Sequence, residues 1–183
     1  MKEPAVHVLG PGTRYVLWTQ GCHRNCPGCV AAGTHRMEDG KVISTDALAW
    51  EIALSGADGL TISGGEPFLQ APALTELVKA VRKIRPMGVI VYTGYQYEEL
   101  QSLSEGAALL AEIDLLIDGA YVQALDDHRG LRGSSNQRVI PLTDTYRDLA
   151  ADYDTQPRKQ EIFRHGSEIH EVGLPGASGT YEI

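Results

Sequence analysis

The sequence predicts an α/β fold in which helices cover a parallel sheet. Three observations predict it. Short apolar, β-branched runs alternate with segments of helical periodicity. The helical segments have the roughly 10 to 15 residues of βαβ crossovers. The polar and glycine-rich clusters fall directly after the strand runs, at the carboxyl ends where parallel sheets collect their chemistry.

The elements follow in order. Tyr15 to Trp18 reads as a buried strand that delivers the chain into a cysteine loop. Ser44-Thr45-Asp46 carries the signature of a helix start, and Ala47 to Leu54 has apolar residues at helical spacing. Gly59 to Ser63 is a second strand. Ala73 to Ile84 is a second helix, ended by Pro86. Val89 to Tyr92 is a third strand, Tyr97 to Ala111 a helical stretch with a break expected near Gly106, and Leu115 to Ile117 a fourth strand. Arg138 to Ile140 reads as a further strand. Beyond it, 143–158 is polar, and Gln160 to Phe163 with Glu168 to Val172 flank His165-Gly166-Ser167 as a hairpin. His165 and His170 read as surface residues and not as ligands. The glycine-rich stretch from Gly173 is expected to be a loose terminus.

At 183 residues, with 43% apolar residues, the chain suits one domain with a real core. Residues 1–143 are expected to form that core, and 144–183 an extension packed on the same domain. No apolar run approaches the roughly 20 residues of a membrane span, and MKEPAVHVLGPG lacks a signal-peptide core. A cytoplasmic location is the expectation, and it suits reduced thiols. The net charge of −8 argues against a nucleic-acid partner, which calls for a basic face.

All three cysteines, Cys22, Cys26 and Cys29, fall in one CxxxCxxC loop. Three thiolates hold three irons of a cubane iron–sulfur cluster and leave the fourth open to a reacting ligand. Structural zinc, with His23 or His35 as fourth ligand, is an alternative at this point. A disulfide with one spare thiol is disfavoured by the tight spacing. Other candidates lie at the following strand ends. Gly64 and Gly65 let backbone approach a ligand, although Gly-Gly-Glu-Pro also suits a plain strand-to-helix turn. Tyr92 and Thr93 offer hydroxyls, and Asp118 offers a carboxylate that would be costly to bury unpaired. Ser134 and Asn136 offer donors, with Arg132 or Arg138 supplying charge.

Gly21-Cys22-His23-Arg24-Asn25-Cys26-Pro27-Gly28-Cys29, followed by Gly64-Gly65-Glu66-Pro67, resembles the radical S-adenosylmethionine superfamily. Within it the chain is most similar to the small activating enzymes of anaerobic ribonucleotide reductase and other glycyl radical enzymes. The resemblance runs from about Val16 to Val139 and includes Thr93-Gly94-Tyr95, Ile117-Asp118-Gly119 and Arg132 to Gln137. It implies a partial (β/α)6 TIM-like barrel, a [4Fe-4S] cluster on the three cysteines, and S-adenosylmethionine on the open iron. It also implies cofactor contacts from Gly28, Val30, Gly64, Gly65, Glu66, Tyr92, Thr93, Asp118, Ser134 and Asn136, with Asp118 facing nucleoside or substrate. The implied partners are reduced flavodoxin or ferredoxin as electron donor and a large glycyl radical enzyme as substrate. Val30-Ala31-Ala32-Gly33-Thr34-His35 departs from many such activases, which keeps a peptide or small-molecule substrate open. A non-catalytic metal-binding module is the reading from another class.

Overall fold

The computed structural model describes residues 1–176 and 181–182. Six strands form one sheet in sequential order: β1 (Lys2–Val6), β2 (Arg14–Thr19), β3 (Gly59–Gly64), β4 (Gly88–Tyr92), β5 (Leu115–Asp118) and β6 (Arg138–Pro141). β2 to β5 run parallel, while β1 and β6 are antiparallel at the two edges. Pro4 sits in edge strand β1, which pairs only with β2, so its missing N–H breaks no second ladder.

Between the parallel strands run α1 (Thr45–Leu54), α2 (Ala71–Ile84), α3 (Tyr97–Gln101) and α4 (Ser104–Leu110). Ser44 caps α1 by accepting from the Ala47 N–H. The helical stretch expected from Tyr97 to Ala111 breaks at Ser102–Leu103, not at Gly106. Gly106 lies inside α4, where a Cβ would overlap the Leu100 carbonyl, so this glycine serves close packing.

The period of two along the strands divides the sheet's faces. Tyr15, Leu17, Leu60, Ile62, Val89, Val91 and Leu116 pack against α1 to α4, through Ile52, Leu77, Val78, Leu100 and Leu109. The alternate residues face the other way. Ile90, Leu115 and Ile117 meet Tyr146 and the helix α5 (Ala150–Thr155), whereas Val16 meets Val172. Also buried is Arg14, which donates to Thr61 Oγ1 (3.0 Å), the Tyr146 hydroxyl (2.7 Å) and the Leu60 carbonyl (2.7 Å).

Val172 belongs to a second sheet, made of β7 (Gln160–His165), β8 (Glu168–Gly173) and β9 (Tyr181–Glu182) in the order β8-β7-β9. The expected hairpin is therefore present as β7–β8. Of the terminus expected to be loose, 181–182 pairs parallel to β7, while 177–180 and 183 lie outside the described residues. Among the described residues no helix is long and apolar enough to cross a membrane.

Candidate functional site

A cavity of about 450 Å³ lies at the carboxyl ends of the parallel strands. Gln20 and the three cysteines reach it from beyond β2, Ser63 to Glu66 from β3, Tyr92 to Gly94 from β4, and Gly119 from beyond β5. The strand-end clusters thus converge on one space.

The cysteine loop is anchored by its backbone. Gly21 and Cys22 donate to the Thr34 and His35 carbonyls at 2.8 and 2.9 Å, closing the loop on itself. Inside it, Cys29 N–H reaches the Cys26 carbonyl at 3.2 Å, and Asn25 and Gly28 take left-handed backbone conformations that turn the chain. The Arg24 guanidinium lies 4.5 Å from the centre of the Tyr95 ring, a cation–π contact. Arg24 Nε is buried without a hydrogen-bond partner among the described residues.

The three thiols are free, half-buried and exposed to the same cavity. Burial pushes the Cys29 thiol above its ordinary value; a hydrogen bond from the Ala31 backbone opposes this, and the neighbouring Cys26 and Cys22 reinforce it. Tetrahedral zinc would bring sulfur ligands within about 3.8 Å of one another, given Zn–S bonds of about 2.3 Å. Among the described residues, the one set of three His, Cys, Asp or Glu side chains whose ligand atoms all lie within 4.8 Å is Glu3, His165 and His170. The cysteines are spaced more widely, with neither His23 nor His35 completing a tight set. Soft thiolates, wide spacing and an open face suit a cubane cluster and not a closed zinc site.

Gly64 and Gly65 are explained by backbone packing. Gly65 N–H donates to the Thr19 carbonyl at 2.9 Å, and Glu66 N–H to the Gly21 carbonyl at 2.7 Å. A Cβ on Gly65 would overlap the Gly21 backbone, and one on Gly64 would overlap Thr19. The turn therefore both lines the cavity and clamps the base of the cysteine loop.

Glu66 is fully buried. Its carboxylate accepts from Phe68 N–H (3.1 Å), the Thr93 hydroxyl (2.8 Å) and Gly94 N–H (2.8 Å), tying β3 to the end of β4. Burial pushes the carboxyl above its ordinary value against the pull of these donors. Tyr92 also lines the cavity, and its hydroxyl is buried with no hydrogen-bond partner among the described residues.

Other expected site residues stand behind the cavity wall. Asp118 is fully buried, and its carboxylate is taken up by Arg138 and by the Tyr97 N–H (2.7 Å). Ser134 accepts from Val122 N–H and donates to Asn136 Oδ1, while Asn136 Nδ2 donates to the Ala120 carbonyl. The residues of this segment that line the cavity are Gly133 and Gln137. Arg132 is held by Asp127 and Asp154 and so is not free to meet a carboxylate. Gly28 is turned toward Gln123, and exposed Val30 lines the cavity.

Sequence reasoning missed Arg158 and the segment Glu171 to Pro175, which also line the cavity. The buried Arg158 donates to the carbonyls of Arg129, Arg132, Gly133 and Pro175 and to Asp126 Oδ1. It binds the extension to the loop after β5. No local pattern in Thr-Gln-Pro-Arg-Lys-Gln marks it.

The model of the 4Fe-4S single cluster domain family matches residues 8–140. An anaerobic ribonucleoside-triphosphate reductase-activating protein of Enterobacteria phage T4 is 33% identical over 147 residues, covering 77% of this chain and 92% of the relative. Its namesake in Escherichia coli K12 is 36% identical over 150 residues, covering 76% and 95%. The chain belongs to this family of radical S-adenosylmethionine activating proteins. A pyruvate formate-lyase-activating enzyme of Staphylococcus epidermidis is also similar, at 38% identity over 82 residues, 41% of this chain and 33% of that enzyme. Family membership settles the class: this activating protein is a radical S-adenosylmethionine enzyme, not a non-catalytic metal module. Its cofactors are a [4Fe-4S] cluster and S-adenosylmethionine. The β7–β8 hairpin lies beyond the residues that the family model covers.

Proposed function

We propose that this chain abstracts a hydrogen atom from a backbone glycine of a large partner enzyme, an anaerobic ribonucleotide reductase. The observation that carries the reading is convergence: Cys22, Cys26 and Cys29 open onto the same cavity as the Gly64-Gly65 turn and Thr93. The cysteines would hold three irons. When bound there, the cluster would supply one-electron reductive cleavage of S-adenosylmethionine, with reduced flavodoxin or ferredoxin as the electron source, and so the oxidising power needed to remove a glycine hydrogen.

The chain's own residues orient this chemistry. The Gly64-Gly65 turn presents backbone to the methionine amino group, and Tyr92 offers ribose or adenine a hydroxyl that has no partner among the described residues. Thr93 is held toward Glu66, so the two fix the wall between the β3 and β4 ends. Val30 supplies an apolar contact, and Gly28 lets the loop turn back to bring Cys29 inward. Asp118, Ser134 and Asn136 act indirectly, by holding the segments that carry Gly119, Gly133 and Gln137.

The sheet reads as an open sector of a (β/α)6 TIM-like barrel, with residues 1–143 as the radical core and 144–183 as an extension on the same domain. A cytoplasmic location follows from the need to keep cluster and thiols reduced. One observation favours a second reading, a peptide or small-molecule substrate: Glu171 to Pro175, beyond the family model's span, add a wall to the cavity.

The test is anaerobic. Protein reconstituted with iron and sulfide is mixed with S-adenosylmethionine, reductant and the reductase, and the expected result is 5′-deoxyadenosine together with a doublet glycyl radical in electron paramagnetic resonance. Cleavage of S-adenosylmethionine without a radical on the reductase would favour the second reading.

A further inference from the structure

Away from the cavity, Glu3, His165 and His170 place three ligand atoms within 4.8 Å of one another. Their positions follow from register. In the β7–β8 ladder His165 pairs with Glu168 and Phe163 with His170, so the two histidines are diagonal neighbours on one face. Their ring centres are 5.3 Å apart. Glu3 comes from β1, on the other sheet, and meets His165 Nε2 at 2.7 Å.

The environment of Glu3 makes this more than a surface contact. Its carboxylate is buried, with only 4% of the residue exposed, yet it faces a partly exposed pair of imidazoles. A buried carboxylate calls for a cation or several donors. Two imidazoles and one carboxylate are a donor set that zinc takes readily, with a further position left for water or another carboxylate. Glu168 Oε2, largely exposed, lies 3.7 Å from His170 Nε2 but outside the tight set, so the further position falls to water.

We propose that Glu3, His165 and His170 bind a divalent transition-metal ion of the zinc class, which fastens the β7–β8 hairpin to β1. Because the set contains no thiolate, it does not compete with the cysteine loop for soft cluster chemistry. It also has a consequence for the cavity: His170 is followed directly by Glu171 and Val172, which line it. Metal at this site holds that wall in place.

Protein already loaded with iron and sulfide, so that its cysteines are occupied, is incubated with zinc chloride, desalted and counted by mass spectrometry. The expected result is about one zinc per chain with iron unchanged. His165→Ala and His170→Ala should each weaken zinc binding by at least the roughly tenfold to hundredfold that loss of an outer-shell partner costs, again with iron unchanged. Zinc should also slow tryptic cleavage at Arg164 in the parent chain and leave it unaltered in the histidine variants. Glu3→Gln is a further arm, and since it alters a buried position, the two histidine variants decide the question. The proposal is overturned if no zinc is retained, if the histidine variants retain it fully, or if zinc enters only as iron leaves.

Discussion

The Glu66 carboxylate and the Thr93 hydroxyl meet at 2.8 Å, locking the carboxyl end of β3 to that of β4 beside the cavity. With Phe68 N–H and Gly94 N–H also donating, the carboxylate is surrounded by donors alone. An amide turned either way would set its own N–H₂ group against a backbone N–H. Glu66→Gln should therefore cost about 1–3 kcal/mol. Calorimetry should show a melting temperature lowered by several degrees, and an unchanged melt would mean that the site is not held by this carboxylate.

Replacing Gly65 by Ala or Val should remove the iron–sulfur cluster as thoroughly as Cys22→Ala does. The added carbon would meet the Gly21 backbone, one residue before the first thiol, so the damage falls on the cysteine loop. Absorbance near the cluster's visible band, with iron counting, checks this. A cluster retained in full would place the cost of Gly65 substitution on the cofactor's own space.

Asp118→Asn leaves Arg138 with Glu98 and deprives a buried site of its charge. Loss of about 1–3 kcal/mol is expected, the cost of leaving buried hydrogen-bonding groups mispaired, since Arg138 itself is partly exposed. Cleavage of S-adenosylmethionine per folded molecule should be unchanged at low temperature, since Asp118 stands behind the wall. A selective fall in cleavage with full stability would make Asp118 a direct contact.

Hydrogen bonding to Arg138 lowers the Glu98 carboxyl from its ordinary 4.5 to about 2. A depressed folded value means that the stabilisation is present above pH 4.5 and is lost as pH falls toward 2. Glu98→Gln should flatten the acid limb of a stability-against-pH curve in that window and leave the neutral region nearly unmoved. Added salt should mimic the variant, because the pair is exposed.

Arg158→Ala should detach the extension while the core stays folded. Its side chain is almost wholly buried, and its loss leaves Asp126 and several carbonyls short of a donor, at a cost of about 3–5 kcal/mol. Limited proteolysis after Lys159 and Arg164 should accelerate, with cluster content retained. Equal protection in both proteins would contradict the anchoring role.

The parallel strands and the cysteine loop were legible because local signals carry them: β-branched runs, glycine-rich strand ends and fixed thiol spacing. Strand β1 was not, since Lys-Glu-Pro-Ala-Val has no alternation and is extended only through pairing with β2. Gly106 misled because a glycine needed for close packing looks, in sequence, like one that breaks a helix. Asp118 was read at the right place but not with its partner, because Arg138 lies 20 residues away and the strand pairing that joins them is nonlocal. Arg158 and the histidines near the hairpin gained their surroundings from tertiary contacts alone.

Among the described residues, four of the five acceptors of Arg158 are main-chain carbonyls, those of Arg129, Arg132, Gly133 and Pro175, with Asp126 the single side chain. Anchorage of this kind depends on the path of the loop and hardly at all on which residues compose it. Substitutions at 129 and 175 that preserve the backbone should pass without effect on docking, whereas Arg132 also ties the loop to Asp154 of the extension through its side chain, and position 158 tolerates no replacement, not even lysine, whose single ammonium cannot span the same acceptors. Away from Asp126 and Arg132, whose side chains bond Arg158 and Asp154, the loop after β5 is thereby free to vary in sequence, and to adapt to whatever enters the cavity, while the extension remains fixed to it.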